Sequence, residues 1–157
     1  MRRDSPGRRV RACCVAVVGL ACVLGCPQGD GDDEGPLACV DVDPDGCAPL
    51  YAPSWSNVYS MTLTTDCATG GLSCHASADA LGAEQHGLFF ADMDAARSLL
   101  LEDRGDETFV DPDAVGCSQL VARLKTDDTV RRMPPGSMLS DTEICSIEQW
   151  IAMGAMP

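Results

Sequence analysis

Apolar residues in the second half of the chain recur at helical rather than alternating spacing. The clearest case starts at Ser140. Ser140 and Glu143 form a capping box, Ile144, Ile147 and Ile151 repeat on one face, and Gly154 ends the run. "GCSQLVARLK" (116–125) predicts a second helix, with Leu120, Val121 and Leu124 as its apolar face. "DMDAARSLLLED" (92–103) predicts a third, with acid in its first turn where the helix dipole favours it. "SWSNVYSMTL" (54–63) predicts a short helix capped by Ser54. "HGLFFA" (86–91) reads as a strand-like segment or an apolar turn. The sum is a mostly α fold of short helices and long loops, without an internal repeat.

The first 25 residues follow a different pattern. Arg2, Arg3, Arg8, Arg9 and Arg11 precede the apolar run "ACCVAVVGLACVLG", which is too short to span a bilayer but suits an export signal. The run ends in "VLGC", residues 23–26, which resembles the lipobox of bacterial lipoproteins. That resemblance implies a signal peptide over 1–25 and a lipid on Cys26. It also implies a cell-envelope location, lipid-anchored on the periplasmic face or the outer membrane. Pro27, rather than aspartate, at the second mature position leans toward the outer membrane. Residues 26–50 then read as an acidic tether with a turn bracketed by Cys39 and Cys47, and 51–157 as the folded domain.

Charge and cysteine content narrow the class. The net charge is −13. The basic residues crowd into the leader, so the remainder is more acidic still. Such a surface repels nucleic acid and suits a partner with a basic docking surface. Ten cysteines in 157 residues point to an oxidising compartment. Outside the leader and Cys26, six remain: Cys39, Cys47, Cys67, Cys74, Cys117 and Cys145. Asp41, Asp43, Asp45 and Gly46 match the start of a calcium loop, but Ala52 stands where a bidentate Glu is needed. A disulfide-closed turn accounts for the same residues.

"DCATGGLSCHASADA" (66–80) carries the candidate chemistry. A Cys-His pair closing a two-cysteine run is how a chain attaches and ligates a c-type haem. Here six residues separate Cys67 from Cys74, in place of the usual two, and His75 follows. Gly70 and Gly71 suit either an outward loop between two thioethers or a turn closed by a Cys67–Cys74 disulfide. If Cys67 and Cys74 take haem, Cys39 with Cys47 and Cys117 with Cys145 complete the pairing. Three disulfides and no haem complete it equally well.

"RRMPPGSMLSDTEICSIEQWIAMGA" (131–155) resembles the C-terminal part of small periplasmic cytochromes c. In that family a Met-Pro-Pro loop brings the distal methionine to the iron, and a helix with an "LSDTE"-like cap ends in "WIxxGA". Met133, Pro134 and Pro135, then Leu139 to Glu143, then Trp150, Ile151, Gly154 and Ala155 stand in that order. The resemblance covers roughly residues 55–157. It implies a small cytochrome c-like helical domain, disulfide-stapled, with one covalently attached haem c. Cys67 and Cys74 would attach it, and His75 and Met133 would be the iron ligands. Arg131 and Arg132 are candidates for its propionates. The implied function is electron transfer to a redox partner protein, not enzymatic catalysis: no acid–base dyad or nucleophile constellation is evident. The alternative is a haem-free, disulfide-stapled surface lipoprotein that acts as a binding or structural module.

Overall fold

The computed structural model describes residues 35–69 and 74–157. The signal-peptide and lipidation expectations, including Cys26, lie outside them. Among the described residues there are five α-helices and no strand. Helix α1 opens at Trp55–Asn57, where Ser54 Oγ accepts from Asn57 N, and continues as a π-helical stretch, Val58–Cys67. Its wider turns show in Ala68 N, which donates to Leu63 O, five residues back, at 2.8 Å. The local sequence accounts for the loosening. The Ser60, Thr64 and Thr65 hydroxyls donate to carbonyls four residues back, at 2.7, 3.1 and 2.6 Å. Such back-bonding competes with the regular ladder and bends helices.

Helix α2 is Leu81–His86, ended by Gly87 in the left-handed conformation. The segment expected to be strand-like therefore begins with the last residue of a helix and its cap. Helix α3 is Met93–Leu100, with Asp92 capping Ala95 N at 2.9 Å. Helix α4 is Gln119–Lys125, shorter than its sequence pattern because Val115–Cys117 forms a 3-10 turn ahead of it. Helix α5 is Asp141–Ala152. Only half of its expected capping box forms. Ser140 Oγ accepts from Glu143 N at 3.2 Å, while the Glu143 carboxylate accepts from Thr62 of α1 at 2.7 Å.

The core lies where α5 packs on α1 and α4. Ile144, Ile147 and Ile151 are buried there with Leu120, Val121 and Leu124, as periodicity predicts. Trp150 stacks on Trp55 with ring centroids 5.1 Å apart. Past Gly154 the chain folds back. Trp150 Nε1 donates to Met156 O at 2.9 Å, and Arg97 of α3 donates twice to Ala155 O.

The disulfides correct the expected pairing. Cys39 bonds Cys117 and Cys47 bonds Cys145, so the bracketed turn is not closed on itself and the two helices are not stapled to each other. Instead, residues 35–50 form a strap fastened across α4 and α5. Val40 N donates to Gly116 O at 2.9 Å, and Leu37 exchanges two hydrogen bonds with Gln119. Lys125 Nζ donates to Asp41 O and pairs with the buried Glu148. The backbones approach so closely that a Cβ on Gly116 would lie 2.2 Å from Val40 O. Among the described residues no three His, Cys, Asp or Glu side chains gather as metal ligands, so Asp41, Asp43 and Asp45 form no calcium cage. Asp43 Oδ1 instead accepts from Gly46 N at 3.0 Å.

Candidate functional site

A cavity of about 690 Å³ opens between the C-terminal end of α1, α2, α4 and the loop 129–137. Its size falls within the range of small-molecule and cofactor sites. Leu88, Phe90, Phe109, Leu120 and Leu124 provide an apolar wall. Cys67, Cys74, His75 and Met133 all line it, so the four residues singled out for cofactor binding meet in one place.

His75 is held by its backbone and by its ring. Its N–H donates to Cys67 O at 3.2 Å, and its carbonyl accepts from Phe90 N at 2.8 Å. Nδ1 lies 2.7 Å from Leu88 O. A carbonyl only accepts, so Nδ1 carries the proton and Nε2 keeps its lone pair. This is the arrangement that orients an imidazole for a metal. Burial pushes the imidazole below its usual pKa, the Leu88 bond opposes this, and the Arg123 charge adds to the lowering. Gly82 of α2 permits the close packing. A Cβ there would lie 2.9 Å from Cys74 O and 3.1 Å from His75 Cε1.

Met133 is placed from α4: its N–H donates to Arg123 O at 2.9 Å. Pro134 and Pro135 follow it along the cavity wall and fix φ at two successive positions, which stiffens the loop. Met138, Met153 and Met156 are exposed and do not line this cavity.

The cysteines differ. Cys67, the last residue of α1, is a free thiol pushed up to about 12 by burial, with Asp66 and Glu143 adding to the rise. Cys74 is disulfide-bonded. A Cys67–Cys74 bridge, one of the fates read from the sequence, is therefore not formed.

Two expectations about charged and imidazole groups change. Arg131 Nη2 donates to Gly35 O, and neither Arg131 nor Arg132 lines the cavity. Arg123 lines it instead, and sequence reasoning missed it. His86, expected at the surface, also lines the cavity from the end of α2. No protein-family model, curated protein or solved structure matches this chain.

Proposed function

We propose that the protein is a monohaem c-type electron carrier, lipid-anchored through Cys26 in the cell envelope. The observation that carries this reading is His75, its Nδ1 committed to Leu88 O, sharing one largely apolar cavity with Met133 and the Cys67 thiol. The residues fit the group. His75 would hold the iron through Nε2 and Met133 through its thioether sulfur, a ligand type that favours ferrous iron and raises the potential. Leu88, Phe90, Phe109, Leu120 and Leu124, which line the cavity, would give the group apolar surroundings. Cys67 and Cys74 supply thiols for attachment, so a dithiol reductant must first open the disulfide at Cys74. A bound haem supplies a one-electron iron couple. The acidic surface suits a redox partner with a basic docking face.

The test is production in a host with cytochrome c maturation machinery, followed by absorption spectroscopy of the parent and of His75→Ala. The reading expects a haem spectrum in the parent and a lost or altered one in the variant. Identical haem spectra in both would reject His75 as ligand. The disulfide at Cys74 favours a second reading, a haem-free surface module. A colourless parent with that bond intact would establish it.

A further inference from the structure

We propose that Tyr59 is a positioning residue for the His75 imidazole and acts through the main chain of residues 88–90. The inference rests on the reading of His75 as an iron ligand and adds the group that fixes its ring. Tyr59 stands on the π-helical stretch of α1. Its hydroxyl donates to Phe90 O at 2.9 Å. The N–H of Phe90 donates to His75 O at 2.8 Å, and Leu88 O accepts from His75 Nδ1 at 2.7 Å.

Residues 88–90 lie between α2 and α3 in neither helix nor strand, so no regular ladder fixes the direction of their carbonyls. Phe90 is tied on both sides instead, through its N–H to His75 and through its C=O to Tyr59. The phenol is itself held. Its ring packs against the core and lies 5.6 Å from the buried Trp55 ring. The Phe90 ring lies 5.6 Å from the imidazole, tilted by 55°. A rotation of this segment therefore moves both the acceptor of Nδ1 and the ring beside the imidazole.

Helix α1 thus holds His75 from two points. Cys67 O, at its end, accepts from His75 N at 3.2 Å, and Tyr59 reaches the same residue through Phe90. Tyr59, Phe90, His75 and Cys67 close a circuit of hydrogen bonds and main chain. The Leu88 carbonyl belongs to the 88–90 side of that circuit. Its bond keeps the proton on Nδ1 and leaves the Nε2 lone pair for a metal. Without the Tyr59 hydroxyl, the Phe90 carbonyl loses its donor and the aim of the Leu88 carbonyl loosens. The proton is then free to move to Nε2, which removes the lone pair.

The first test is the nitrogen-15 imidazole spectrum of the haem-free mature protein, to which only two histidines contribute. The parent is compared with Tyr59→Phe, which keeps the ring, and with Ser60→Ala. The Ser60 hydroxyl donates to Ser56 O, so its loss perturbs α1 without touching residues 88–90. The parent should show His75 protonated on Nδ1. In Tyr59→Phe that proton should exchange with water roughly fivefold faster, the worth of one hydrogen bond, and the nitrogen shifts should move toward the Nε2–H tautomer. Ser60→Ala should match the parent. Identical spectra for the parent and Tyr59→Phe overturn the inference and leave the haem reading intact. The same change in both variants overturns it too, since that is general loosening of α1. The second test is the midpoint potential of the haem-loaded protein. Tyr59→Phe should shift it upward, because a weaker Nδ1 bond makes the imidazole a poorer donor to ferric iron. An unchanged potential overturns the inference. A parent that takes up no haem rejects His75 as an iron ligand, while the tautomer comparison still decides whether Tyr59 positions the ring.

Discussion

Removing the Cys39–Cys117 disulfide with the paired change Cys39→Ser and Cys117→Ser should cost the protein about 4 kcal/mol of stability. The two sulfurs stand 78 residues apart in sequence, and the second bridge, Cys47–Cys145, spans 98. In the loop-entropy account an isolated 78-residue closure contributes about 4.5 kcal/mol. The second bridge is retained in the variant and shortens the path from Cys39 to Cys117. That path then runs from 39 to 47, across the bridge, and from 145 back to 117, about 36 residues in all, which reduces the expected contribution to about 4 kcal/mol. In the variant the strap keeps the Cys47–Cys145 bridge and hydrogen bonds such as Leu37 to Gln119, Val40 to Gly116 and Lys125 to Asp41. For a folded part of this size the loss corresponds to a melting point lower by about 15 °C. The assay is urea or thermal unfolding followed by circular dichroism under non-reducing conditions, with a non-reducing peptide map of the parent. A loss below about 1 kcal/mol would refute the reasoning. So would a map joining Cys39 to Cys47, which closes a loop worth only about 2.5 kcal/mol.

Three further outcomes are expected. Gly116→Ala should destabilise the protein by about 2 kcal/mol or more in urea unfolding, because its methyl group meets Val40 O at 2.2 Å; a change within 0.5 kcal/mol would mean that the strap does not dock so closely. In the haem-free protein at pH 8, Cys67 should react with iodoacetamide roughly a thousandfold more slowly than in urea, because burial lifts its thiol from 9.0 to about 12 and leaves little thiolate; comparable rates in the two conditions would place the sulfur in water. In the haem-loaded protein, Met133→Ala should lower the reduction potential while Met138→Ala leaves it unchanged, since Met138 is exposed and lies outside the cavity; a redox titration giving the reverse order would move the ligand to Met138.

The helices were legible because their signals are local. Ser54, Asp92 and Ser140 cap the helices they precede, and the Ile144, Ile147, Ile151 spacing alone selects the face of α5 that becomes core. The π-helical stretch of α1 was not read from the sequence, since where the ladder slips is set by side-chain bonds to the backbone rather than by the apolar pattern. The hydroxyls of Ser60, Thr64 and Thr65, which bond back to carbonyls four residues earlier, are the local feature that accompanies it. The disulfide pairing failed for a different reason. A turn flanked by Cys39 and Cys47 suggests a local bridge, whereas their real partners are set by the docking of the strap, a contact between segments about eighty to a hundred residues apart. At the site, Cys67, Cys74, His75 and Met133, singled out by residue type and order, line one cavity. Arg123 was not singled out, because a basic residue amid the apolar pattern of α4 resembles a solvated charge until the fold shows which face it occupies. His86 escaped for the same reason: no neighbouring residue marks it, and it reaches the cavity on α2, from which Leu81, Gly82 and Gln85 also line it.

The central claim is that this chain carries haem covalently. The direct measurement is the intact mass of the mature protein, made with cytochrome c maturation machinery, after reduction, denaturation and acid–acetone extraction. Thioethers survive that treatment, whereas coordination bonds do not. The account predicts one haem mass added to each chain, and proteolysis that assigns it to the peptide containing Cys67, Cys74 and His75. A chain at its haem-free mass, with the extract colourless or holding all of the haem, would contradict it.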